Sequence, residues 1–363
     1  MLYLNPAGLS PFHPDIQKEV SRTLAAFSRV LYSEAGVKLY RETFQQARET
    51  IARWLELTDP QRLAFVSNTT TACSLILSRI NWKTGDTVLT TTHENATILY
   101  EIDSLRTRGV QVLSLDPDAA PGFLPAFEHL LNKHSVRAIV ISHVSHLDGR
   151  IFPLPAIQAL ARTHRVLFMV DGAQAVGHIP VSFRQLQPDA YFFPGHKWCA
   201  GPMGTGALIL GKEFVRTFAN PDETQDLRKP DQPGWMGFEL GTHNIGLIAG
   251  LAKACSLKHQ EGLQSPVLDS IREEWKTCLK RYEGVRILEW DGPQAPGILS
   301  FHRLDETTAQ VMQTTAVPQE LPCNTFSNPS EPSKLSIRLS WAPATPLSDI
   351  RQALACFSSP ENG

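Results

Sequence analysis

No uninterrupted apolar run of about 18 residues, the length a membrane-spanning helix needs, occurs in the sequence. The first residues, Met1-Leu2-Tyr3-Leu4-Asn5-Pro6, carry no basic segment followed by an apolar core, so they do not read as an export signal and the expected location is the cytoplasm. The six cysteines (Cys73, Cys199, Cys255, Cys278, Cys323, Cys356) include no CxxC pair and no regular spacing, which argues against a disulfide framework and a zinc site. No metal is expected. Charge of one sign is missing too: 34 Lys and Arg face 36 Asp and Glu, so no whole-chain field recruits nucleic acid or an anionic membrane. Internal repeats and low-complexity tracts are absent, and no GxGxxG follows the first expected strand, which removes a dinucleotide-binding reading.

What is present is a chain of 363 residues, 42% hydrophobic, enough for a large core and two domains. Short β-rich runs alternate with helical segments, the pattern of an α/β fold with a parallel sheet covered on both faces. The expected strands are Leu63–Ser67, Thr87–Thr91, Val110–Leu115, Ala138–Ser142, Val166–Val170, Ala190–Phe193 and Gly206–Leu210. After Gly241 the pattern changes to helices over Leu247–His259 and Pro266–Tyr282, strands Ile298–His302 and Leu335–Ser340, and a last helix near Leu347–Cys356. Thr314–Pro332, rich in Pro, Asn and Ser, reads as a loop. The expected division is a large domain over 15–244 and a smaller α+β domain made of 1–14 and 245–363.

Open parallel sheets bind ligands beyond the carboxyl ends of their strands, so the residues just after each strand matter most. One apolar strand ends in Asp171-Gly172-Ala173-Gln174; an acid there is equally suited to cap a helix or close a turn. Another ends in Pro194-Gly195-His196-Lys197-Trp198, followed by the glycine-rich Ala200-Gly201-Pro202-Met203-Gly204-Thr205-Gly206. Lysines on turns are ordinarily solvated, but this one stands between His and Trp, before glycines that let the backbone pass close to a bulky ligand. A desolvated lysine loses basicity and attacks carbonyl groups.

The order Asp-x-Ala-Gln, then Gly-His-Lys, then a glycine-rich turn resembles the class V aminotransferases. The similarity runs from Tyr3-Leu4-Asn5-Pro6-Ala7-Gly8 to Arg338-Leu339-Ser340, and His196-Lys197-Trp198-Cys199-Ala200-Gly201-Pro202 is most similar to the cyst(e)ine C–S lyase and cysteine desulfurase branch. The resemblance implies the fold type I architecture of pyridoxal 5′-phosphate (PLP) transferases: a large domain with a seven-stranded, mostly parallel sheet and a smaller C-terminal domain. It implies that Lys197 holds PLP as a Schiff base and that Asp171 pairs with the pyridine nitrogen. By the same resemblance Ala173 would pack on one ring face, Gln174 would bond the ring hydroxyl oxygen, and His93 would stack on the other face and shuttle protons. Thr69 and Thr70, opening a helix whose free N–H groups favour an anion, would bind the phosphate, with His196 as a further donor. Thr242 matches the position that reaches the phosphate from a second subunit, which implies a homodimer with its sites at the interface. Arg338 stands where the family grips the substrate carboxylate. His146 takes the place near the ring hydroxyl where desulfurases carry Asn, and Pro194 replaces the usual Ser or Thr.

The reaction follows from which bond breaks after Lys197 takes the Cα proton of an amino acid. The leading expectation is β-elimination with C–S cleavage of cysteine or cystine. Cysteine desulfuration needs a mobile thiol, for which Cys323, on a loop before Arg338, is the candidate; no basic group flanks it to lower its pKa. An aminotransferase or isopenicillin-N-epimerase-like enzyme would use the same Lys197 and Asp171, and a non-catalytic binding scaffold is the remote reading.

Overall fold

The computed structural model describes residues 3–118, 122–212, 214, 237–263, 266–281, 284–303, 324–328, 331–341 and 348. Two long helices open it, α1 (Pro14–Val30) and α2 (Glu34–Trp54). Then come β1 (Leu63–Val66), α3 (Thr69–Arg79), β2 (Thr87–Thr91), α4 (Ala96–Ser104), β3 (Gln111–Leu115), α5 (Phe123–Lys133), β4 (Val136–Ser142) and α6 (Leu154–His164). Strands β5 (Leu167–Asp171), β6 (Ala190–Pro194) and β7 (Gly206–Leu210) complete the larger sheet. The seven strands run in the order β1-β7-β6-β5-β4-β2-β3. Only β7 runs against its neighbours; the other pairings are parallel.

Alternation along the strands feeds two cores, one on each face of this sheet. Phe65, Ile139, Ile141, Phe168, Val170, Tyr191 and Phe193 point to the side covered by α2, α5 and α6. Val66, Ala138, Val140, Met169, Ala190 and Phe192 point to the side covered by α3 and α4. With both faces buried, the strands are apolar throughout rather than half polar.

The second sheet has four antiparallel strands, built from β8 (Val285–Ile287), β9 (Ile298–Arg303), β10 (Asn324–Asn328) and β11 (Glu331–Ser340) in the order β10-β11-β9-β8. Leu299, Phe301, Ile337, Leu339 and Trp341 pack against Leu268, Ile271 and Trp275 of α8 (Pro266–Leu279). Leu4 from the N-terminal segment joins them.

One expectation changes here. The stretch read as the loop Thr314–Pro332 contains β10 and the start of β11. Asn, Ser and Pro do not exclude a strand at a sheet edge, and among the described residues β10 pairs with β11 alone. Helix α7 (Ile245–Glu261), placed by the sequence with the smaller unit, packs on α1 and α2. Its Ile245, Ile248, Leu251 and Cys255 belong to the larger sheet's core. Cys323 lies outside the described residues, as does the expected last helix apart from Ser348. Among the described residues no helix is long and apolar enough to cross a membrane.

Candidate active site

Parallel strands β4, β5 and β6 end together: the register sets Ser142 beside Asp171, and Asp171 beside Phe192. The loops that follow therefore share one rim. The tight turn after β6 depends on Gly195, whose N–H donates to the Thr205 carbonyl and whose carbonyl accepts from Gly201, both at 2.7 Å. A Cβ at Gly195 would collide with the Thr205 side chain and Leu251. This turn carries His196 and Lys197 to the rim.

Asp171 is buried and accepts the Ala173 N–H at 2.8 Å. Burial pushes its carboxyl up to about 6, while Lys197 and the Ala173 bond pull it down. Lys197 is half-buried, and desolvation brings its ammonium down to about 8; Asp171 favours the charged form and Arg338 opposes it. At neutral pH the pair is an ionised acid beside an amine close to releasing its proton.

Behind Asp171 is a residue the sequence reading passed over, Glu94. It accepts from the Thr91 hydroxyl at 2.6 Å and the Ser142 hydroxyl at 2.5 Å, and burial pushes it up to about 8. Glu94 is thus protonated at pH 7, leaving Asp171 as the charged carboxylate.

Arg338 arrives from the second sheet. It is 2% exposed; its Nη1 donates to the His146 carbonyl at 2.7 Å and its Nη2 to Asn5 Oδ1 at 3.4 Å. Nε has no partner, and among the described residues no carboxylate pairs with it. Burial lowers the guanidinium to about 10. A buried cation without a counter-ion costs several kcal/mol, roughly, and is disposed to take a ligand's carboxylate.

His93 is buried, with Nδ1 3.2 Å from Ser145 Oγ and Nε2 lacking a hydrogen-bond partner. His146 Nδ1 lies 3.2 Å from the His93 carbonyl, which can only accept, so the hydrogen is assigned to Nδ1 and Nε2 is left bare. Burial lowers the His146 imidazole to about 3, with Arg338, Lys197 and His93 adding to the effect.

At the anion end, Thr69 is the first residue of α3 and Asn68 is its N-cap, accepting the Thr71 N–H at 2.8 Å. The Thr70 hydroxyl donates to Thr97 at 2.9 Å, and His196 has a buried Nδ1 without a partner. Thr242 is exposed on the segment that leads into α7.

Gln174 is bonded on both sides within the protein. Its Nε2 donates to the Ala7 carbonyl at 3.0 Å and its Oε1 accepts the Trp198 indole N–H at 2.6 Å, leaving a single amide hydrogen for a ligand. It braces the turn that carries Lys197. His178 stacks on Trp198 with ring centroids 3.5 Å apart and accepts the Gly297 N–H at 2.9 Å, which ties this turn to the second sheet.

These residues fit PLP. The partnerless buried nitrogens of His93, His196 and Arg338 and the helix terminus at Thr69 ask for a ligand with an aromatic ring, an anion and, through substrate, a carboxylate. Asp171 and Ala173 would hold the ring, Thr69, Thr70 and His196 the phosphate, and Lys197 the reactive carbon. Asn5, Asn68 and Ser145 were not singled out in the sequence; of these only Asn68, directly before a Thr run and an apolar helix, carries a readable cap signal.

The chain is similar to known proteins over most of its length. A protein named probable cysteine desulfurase from Pyrococcus abyssi (strain GE5 / Orsay) is 28% identical over 279 residues, 72% of this chain and 68% of that protein. Another so named, from Methanothermobacter thermautotrophicus, is 25% identical over 315 residues, 83% of this chain and 78% of its own. Among solved structures, the complex between the cystine C–S lyase C-DES and its reaction product cysteine persulfide superposes with a TM-score of 0.87 at 25% identity, covering 99% of this chain and 97% of that one. The model of the aminotransferase class-V family matches residues 15–315, and the chain belongs to that family.

Proposed function

We propose that this chain is a PLP-dependent enzyme that acts on a sulfur-containing amino acid, cysteine or cystine, and breaks its C–S bond by Cα deprotonation and β-elimination. The observation that carries this reading is the buried, carboxylate-free Arg338 beside the Lys197–Asp171 pair. When bound, PLP supplies the electron sink that makes an amino acid's Cα–H acidic.

The side chains do the rest. Asp171, ionised at neutral pH, keeps a proton on the pyridine nitrogen. Arg338 grips the substrate carboxylate with its planar fork and so sets which Cα bond stands upright to the ring. Lys197 Nζ takes the Cα proton, and a basicity near 8 suits that task at neutral pH. Thr69, Thr70 and His196 would hold the phosphate, Ala173 and His93 would pack against the ring, and His146 would stand by its hydroxyl. The chain works as a homodimer, in which the exposed Thr242 of a second copy reaches the phosphate.

A second reading, cysteine desulfuration with Cys323 as the persulfide carrier, draws support from the names of the Pyrococcus and Methanothermobacter relatives. One experiment separates the two. The purified protein, incubated with PLP, is expected to absorb between 330 and 430 nm, on the order of the usual range for this cofactor. Lys197→Ala is expected to lose that band and the activity. Pyruvate from L-cystine or L-cysteine marks the lyase; alanine with a protein persulfide that vanishes in Cys323→Ser marks the desulfurase. Turnover of L-alanine with neither sulfide nor persulfide would overturn both.

A further inference from the structure

Outside the residues that would touch the cofactor there is a chain of charges leading to His93. Asp118, just after β3, lies with Oδ2 3.7 Å from His93 Nε2. Its other oxygen accepts from Arg150 Nη2 at 2.6 Å. Arg150 is 2% exposed and directs both Nε and Nη2 at Asp148 Oδ2, each at 2.7 Å, while its guanidinium lies 5.2 Å over the Trp290 ring. The group holds one cation and two carboxylates. The surplus negative charge sits on the Asp118 oxygen that Arg150 leaves free, and that oxygen faces the partnerless nitrogen of a buried imidazole.

We propose that Asp118, clamped by Arg150, is a positioning residue for His93: it fixes the ring's orientation and tautomer and stabilises the imidazole when it carries a second proton. The proposal rests on the reading of His93 as the residue against the cofactor ring.

A carboxylate only accepts, so it selects the Nε2–H form of neutral His93, and Nδ1 then accepts the Ser145 hydroxyl proton. The Ser145 hydroxyl hydrogen is free for this, because toward Leu147 the oxygen acts as acceptor, from its N–H at 3.1 Å. Closing the gap to a hydrogen bond takes a shift of about 1 Å, available to a side chain that is 44% exposed. The charges facing His93 are Asp148 and Arg150 from the loop after β4, Asp116 and Asp118 from the loop after β3, and the neutral His146 ring. Burial depresses the His93 imidazole most; Asp148, Asp118 and Asp116 push it back up, and Arg150 pushes it further down. His93, Asp116 and Asp118 could also be drawn as ligands of a cation, since their donor atoms lie within 4.8 Å of one another. Arg150 already supplies the positive charge against Asp118, which favours the ion-pair role.

The test is a histidine NMR titration of the full chain without cofactor, comparing wild type, Asp118→Asn and Asp118→Glu, with the His93 signal assigned by its loss in His93→Gln. Removing the carboxylate is expected to lower the His93 midpoint by about 0.5–1 pH unit, the range left after solvent screening of a half-exposed partner. Asp118→Glu is expected to restore it. The matching limb of the holoenzyme's pH–rate profile moves acidward by the same amount. An unmoved His93 midpoint in a folded Asp118→Asn chain overturns the proposal, even with pyruvate formed normally. A moved midpoint in a chain that shows no PLP band sinks the proposed function and leaves the Asp118–His93 coupling standing.

Discussion

At the scale of single residues, the site is built from groups held where folding alone would not put them. Lys197 is the clearest case. The unfolded chain keeps its proton up to the ordinary 10.5, while the folded chain releases it at about 8, so between those values the unfolded state binds more protons and stability rises with pH. Below about 8 the whole penalty is present, about 2–3 kcal/mol after allowance for partial exposure. Lys197→Met, similar in length and without charge, is therefore expected to make the cofactor-free protein more stable at pH 7, with a higher urea midpoint and an unchanged slope. The advantage should shrink as the pH is raised towards 10.5. An equal midpoint at pH 7 would mean that the lysine is solvated and that the site lacks the low-dielectric character ascribed to it. Arg338 belongs to the same class, as a buried cation whose counter-ion, on the proposed function, would come with the substrate. Such residues are destabilising alone and functional together.

At the scale of elements, the start of α3 is the N-terminus proposed to hold the phosphate, and its cap is Asn68. Asn68 satisfies the Thr71 N–H and leaves those of Thr69 and Thr70 for a ligand. Asn68→Ala is expected to cost about 1 kcal/mol and to lower the melting temperature by about 2 °C. It should also weaken PLP retention on dialysis, because a frayed first turn aims its N–H groups poorly. Loss of stability with unchanged retention would assign the phosphate elsewhere. The large-sheet strands were legible because each is a short apolar run bounded by turn residues, and all seven stand within two residues of their expected ends. Asp171 and Lys197 could be singled out because they follow such runs, where open sheets generally bind ligands. Strand β10 was not legible: its Asn and Ser residues have the composition of a loop, although such residues are tolerated in edge strands. The bonds of Gln174 to Ala7 and Trp198 were not legible, since those partners come from distant parts of the chain and no local pattern announces them. The Asp118–Arg150–Asp148 chain escaped for the same reason: its members follow two different strands, and only the sheet order brings them together.

For the whole molecule, the segment 3–10 does more than its length suggests. Leu4 is fully buried in the core of the smaller sheet, and Ala7 is buried in the core of the larger one. Between and beyond them, Asn5 bonds Arg338, the Ala7 N–H donates to Ser340 Oγ at 3.1 Å, the Ala7 carbonyl accepts from Gln174, and the Ser10 N–H donates to the His196 carbonyl at 2.8 Å. The strap therefore joins both cores across the rim where Lys197 and Arg338 meet. Leu4→Ala deletes a side chain with no exposed surface and is expected to cost about 2–4 kcal/mol. How that loss is distributed tests the coupling. If the strap makes the two sheets one cooperative unit, calorimetry of the variant shows one transition moved bodily to lower temperature, and PLP retention falls although Leu4 lies outside the cofactor's reach. If it does not, the scan splits: a low-temperature transition for the β8–β11 unit appears beside an unmoved one for the seven-stranded sheet, and retention is unchanged. In that case Arg338 would be held at the site only by the β11 backbone and its bond to His146. Substrate capture, not cofactor capture, would then be the step that suffers when the strap is loosened.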